Sequence, residues 1–114
     1  MARDSSLKAV LTEVERYLTA IRTALLKEWD PIGVKHFPEA QDEYDSYAPH
    51  IYSLLFTRRP QHELSDYLWR LETEHMGLTG NRKETERFAE RLLRIPQEIG
   101  EGDAAASRLP ISRE

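Results

Sequence analysis

From Leu7 onward an apolar residue returns every three or four positions, at Leu7, Val10, Leu11, Val14, Leu18, Ile21 and Leu25, and the run ends at Asp30-Pro31. That spacing follows one face of an α-helix and neither face of a strand. A helix of about six turns is expected, with Asp4, Ser5 or Ser6 placed to cap its first N–H groups. Pro31 drives Asp30 toward extended backbone, so the helix should finish near Glu28 or Trp29. An apolar stripe of this length is read as core-facing, which obliges the rest of the chain to supply covering helices.

Three further helices are legible. The second should start near Asp45 or Ser46, with Pro49 tolerated because first-turn N–H groups lack intrahelical partners. Ile51, Leu54 and Leu55 form its stripe, and Arg58-Arg59-Pro60 ends it. The third covers about Gln61 to Met76, with Leu64, Tyr67, Leu68 and Leu71 on one face and Gly77 suited to the left-handed C-terminal position. The fourth starts at Asn81, whose spacing to Glu84 resembles a capping box, and turns Phe88, Ala89, Leu92 and Leu93 inward. Pro96 closes the pattern. The expected fold is all-α: one compact bundle of about four helices over residues 1–95, with a long ordered loop between the first two. The remaining 96–114 are expected to form a mobile or loosely docked tail.

Composition narrows the function. The 114 residues contain no cysteine, which removes disulfides, zinc–thiolate sites and thiol nucleophiles. A formal charge of −4, with acids and bases interspersed, argues against a nucleic-acid binder. No apolar run reads as a signal peptide or a membrane span, so a cytoplasmic location is expected. No glycine-rich phosphate loop and no nucleophile elbow is present, and no cofactor is expected. Glu72-x-x-His75 copies half of a di-iron pair, but the second pair is missing; Glu72 reads as a surface glutamate beside a helix-end histidine. His62-Glu63 lacks the second histidine of a zinc-protease helix.

The segment Glu28–Tyr47 stands apart. Its roughly fifteen loop residues are more than most connectors use, and loops of that length are functional or disordered. Trp29, Ile32, Val34, Phe37, Tyr44 and Tyr47 carry enough apolar area to pack down. Glu39, Asp42, Glu43 and Asp45 precede the second helix, where Asp42 or Asp45 is placed to cap it. Two uses of this loop are open. Trp29, Asp30, Asp42, Glu43, Tyr44, Asp45 and Tyr47 form an acid–aromatic candidate surface for a partner protein. His36, Asp42, Asp45 and His50 are the candidate ligands for a divalent metal.

"WDPIGV", "PEAQDEYDSYAPHIYSLL" and "ELSDYLWRLETEHMGL" resemble a family of small bacterial proteins grouped as a domain of unknown function, the DUF1871 type. The resemblance runs over about Leu11 to Leu93 and lies mainly in Trp29-Asp30-Pro31-Ile32-Gly33 and in Asp42-Glu43-Tyr44-Asp45 with Tyr47. It implies a compact helical domain and brings no catalytic residues with it. The leading expectation is a non-enzymatic bacterial interaction module, in the manner of an immunity protein that covers a toxin's basic face. The alternative is a small-ligand or divalent-metal protein using the acidic and histidine residues of the loop. The partner is an unknown protein, and the chain is expected to be a monomer or a homodimer through its first helix.

Overall fold

The computed structural model describes residues 2–100, with side chains from Lys8 onward. Helix α1 spans Ala2–Ala24 and passes directly into one π turn, Leu25–Trp29. Helix α2 spans Ala48–Phe56, and α3 spans Gln61–Arg70 before a second π turn, Leu71–His75. Helix α4 spans Arg82–Leu93, and helical backbone resumes over 95–100. No strand occurs among the described residues. Helix α1 packs along α2, α3 packs along α4, and the first π turn rests against α4.

The core is built from the predicted stripes: Ile21 and Leu25, Ile51 and Leu55, Leu64 and Leu68, Phe88 and Leu92. Tyr44 joins them from the interhelical segment, and Ile95 joins from beyond α4. The helical pattern thus continues past Pro96, because Ile95 and Ile99 both have core surface to cover. Of the tail expected over 96–114, residues 96–100 are helical and Ile99 packs partly against the core; the rest lies outside the described residues.

Three expectations are corrected. The α1 stripe is core-facing only in its second half: Val10 and Leu11 are 56% and 58% exposed. The cause is length, since α1 runs about 35 Å and α2, its partner, only about 13 Å. Asp4, Ser5 and Ser6 lie inside α1 rather than ahead of it. The long loop is shorter than expected. Irregular backbone covers residues 30–37, after which single 3₁₀ turns form at Pro38–Ala40 and Asp45–Tyr47.

Helix ends follow local chemistry. Asn81 caps α4 as expected, its side-chain oxygen accepting from the Glu84 N–H at 3.2 Å. At the end of α2 the Arg58 N–H donates to the Leu55 carbonyl and the Arg59 N–H to the Leu54 carbonyl. Those two bonds make a Schellman ending, and they hold Arg58 at φ 58°, a backbone that favours glycine. Neither Asp42 nor Asp45 caps α2: its N-terminus has no side-chain cap.

Candidate functional site

The two π turns deliver the residues that define the centre of the molecule. A π turn widens the helix by one residue per turn and recurs at functional positions. The first closes with the Asp30 N–H on the Leu25 carbonyl at 2.9 Å, the second with the Met76 N–H on the Leu71 carbonyl at 2.8 Å. The first turn ends on Trp29, and the second carries Glu72. Their side chains meet, the Trp29 indole N–H donating to Glu72 Oε2 at 2.6 Å. The Thr85 hydroxyl, from α4, donates to the same oxygen at 2.8 Å, closer than its other acceptor, the Asn81 carbonyl at 3.1 Å. Glu72 is only 5% exposed and Thr85 only 2%. A carboxyl group so placed must be hydrogen-bonded, and here the two donors come from separate elements.

Trp29 is the hub of this centre. Its ring stacks parallel to Phe88 at 6.0 Å, tilts against Tyr44 at 5.4 Å and meets the Tyr47 edge at 6.4 Å. Beside it opens a hollow of about 400 Å³. Trp29, Phe88 and Leu78 supply its apolar wall and Glu28, Glu72 and Glu84 its acids, with no Lys or Arg in the lining. Gly80 sits at φ 75° on its edge, where a Cβ would lie 2.8 Å from the Trp69 ring and 3.1 Å from Glu72 Oε1.

Asp30 has a different task. It sits in left-handed backbone at φ 35°, ψ 59°. Its Oδ1 accepts from the Val34 N–H and the Tyr44 hydroxyl, both at 2.8 Å, and its Oδ2 accepts from the Lys35 N–H at 3.1 Å. Tyr44 in turn accepts from the Ile32 N–H at 3.0 Å. Partial burial pushes the Asp30 carboxyl upward, but the hydrogen bonds from Val34, Tyr44, Lys35 and Gly33 outweigh it and hold its pKa below the usual value. Burial, with Asp30 close by, pushes the Tyr44 hydroxyl far up, so it stays a donor. Asp30 and Tyr44 are therefore the pins of the loop.

The residues singled out from sequence accordingly separate. Trp29, Asp30, Tyr44 and Tyr47 converge inside. Asp42 and Glu43 are exposed, Asp45 is half-buried, and none of the three makes a side-chain hydrogen bond or ion pair among the described residues. His36, Asp42, Asp45 and His50 do not assemble as ligands: among the described residues no three His, Asp or Glu side chains are arranged to hold a metal ion. The His50 ring instead packs on Tyr67 at 4.4 Å.

Glu72, expected on the surface, is buried. A signal was present. Trp29 follows Ile21 and Leu25 at steps of four, Glu72 follows Leu64 and Leu68 likewise, and Thr85 precedes Ala89 by four. All three occupy core positions of apolar stripes, and a polar group at such a position calls for a partner.

No family model, no curated protein and no solved structure matches this chain. No helix among the described residues is long and apolar enough to cross a membrane.

Proposed function

We propose that this protein is a non-enzymatic interaction module that presents the segment Ile32–Asp45 to a basic partner protein. One observation carries the reading: a large aromatic ring is held outward on a backbone that is fully tied. Phe37 is 54% exposed. Its N–H donates to the Val34 carbonyl, and its carbonyl accepts from the Ala40 N–H and from Gln41 Nε2 at 2.9 Å. Ile32, 45% exposed, lies on the same pinned loop. The acids Glu39, Asp42 and Glu43 of the same segment are exposed as well. An aromatic anchor within a charged rim is the anatomy of a protein-binding patch, and a rigid one loses little entropy on association. Kinship with the DUF1871 type belongs to the same proposal, because its two elements, Trp29–Gly33 and Asp42–Tyr47, are the ones that pin and border this patch.

The test pairs Phe37→Ala with Asp42→Ala/Glu43→Ala, each checked by circular dichroism, in quantitative pull-downs of partners from native lysate. The reading requires that both variants keep the fold and lose the same captured protein. Retention of that protein by both sinks it.

A further inference from the structure

We propose that the hollow beside Trp29 binds a guanidinium group, carried on an arginine side chain of a peptide or on a free alkylguanidine. This inference is independent of the loop surface described above. It begins with an imbalance at Glu72. The side chain is buried, Oε2 takes both protein donors, and Oε1 takes none among the described residues. Oε1 is not among the fully enclosed atoms left without a partner, so it keeps surface that an N–H donor in the hollow can reach.

The charge balance selects a cation. Glu28 is already paired with Arg91, at 3.0 Å, and Arg91 is shared with Glu98 at 3.2 Å. Glu72 and Glu84 have no ion pair among the described residues. Opposing them is the N-terminus of α4, which contributes about half a positive charge and so offsets only part of two carboxylates. Arg87 borders a neighbouring hollow with Glu84 but forms no ion pair there. The lining therefore favours a positive guest, and the chain's own basic side chains do not fill it.

The walls select the kind of cation. The three acids of the lining are not arranged to hold a divalent metal, as noted. The parallel rings of Trp29 and Phe88 border the site, and a guanidinium is planar, weakly hydrated and able to lie against aromatic faces while its N–H fork meets carboxylates. The molecule contains its own instance next door: the Arg82 guanidinium lies 5.6 Å from the Trp69 ring centre while pairing with Asp66 at 2.7 Å. The size of the hollow falls within the range of about 300–1,000 Å³ usual for small-ligand sites.

The test is a titration of ¹⁵N-labelled protein, following the Trp29 indole N–H and the Gly80 and Thr85 amides. The probes are a capped Gly-Arg-Gly peptide and agmatine, with the citrulline and lysine peptides as controls. The arginine probes are expected to move these resonances with affinity at least about tenfold above citrulline. The Glu84→Gln variant, altered at an exposed position, should weaken them several-fold, and Glu72→Gln should weaken them more. A tighter peptide identifies a protein source, and tighter agmatine identifies a free one. Equal binding of citrulline, or no movement at about 20 mM arginine probe, overturns the proposal. If Glu72→Gln fails to fold, an affinity unchanged in Glu84→Gln overturns it equally.

Discussion

The indole N–H of Trp29 and Oε2 of Glu72 lie 2.6 Å apart across 43 residues of sequence, and each stands on its own π turn. This bond ties the end of the first helical arm to the end of the third, with Thr85 locking it from α4. Removing the acceptor leaves the half-buried indole N–H without a partner and the Thr85 hydroxyl with only its longer bond to the Asn81 carbonyl at 3.1 Å. Glu72→Ala is expected to destabilise the fold by roughly 3 kcal/mol, and Glu72→Gln, which keeps an acceptor oxygen, by less. Urea unfolding of the two variants measures the difference; equal and small losses would contradict this account.

The loop pin should show in acid. The folded Asp30 carboxyl titrates below its usual value of 3.8, so its contribution is complete above that value and is lost as pH falls through the lowered one. Asp30→Asn tolerates the left-handed backbone but lacks this titration. The variant should melt below wild type at pH 7, and the gap should narrow toward pH 3. Melting curves at several pH values decide it, and a gap that widens in acid would be the wrong sign.

Arg58 offers a gain. It occupies the left-handed position of a Schellman ending at φ 58°, where an L side chain is strained by about 1 kcal/mol and glycine is not. Arg58→Gly should therefore leave stability unchanged or raise it slightly, after the greater chain entropy of glycine is subtracted. Differential scanning calorimetry provides the reading.

Gly80 offers the opposite. Its φ is 75°, and a Cβ would press within 2.8 Å of the Trp69 ring and 3.1 Å of Glu72 Oε1. Gly80→Ala combines backbone strain with a steric push on the buried carboxyl. A loss on the order of 2 kcal/mol is expected, together with a changed Trp29 indole resonance.

The acids before α2 should prove dispensable for folding. Because the α2 N-terminus has no side-chain cap, Asp42→Ala/Glu43→Ala/Asp45→Ala should shift stability by no more than about 1 kcal/mol in total. Unfolding of the triple variant at 25 °C would show that these acids support the fold.

The helices and most of their ends are legible in local sequence. Apolar spacing, Pro31, Pro60, Gly77 and the Asn81 cap act within a turn or two, and local chemistry of that kind is written in neighbouring residues. Packing between helices set which parts of each stripe are covered. Val10 and Leu11 continue the α1 pattern, yet α2 is too short to reach them. It also decided that Glu72 is interior and that Asp30, rather than Asp42 or Asp45, holds the loop. Those outcomes depend on how helices distant in sequence are placed beside one another. The Trp29–Glu72–Thr85 contacts form only when α1, α3 and α4 have docked, and no periodicity along one segment encodes that distance.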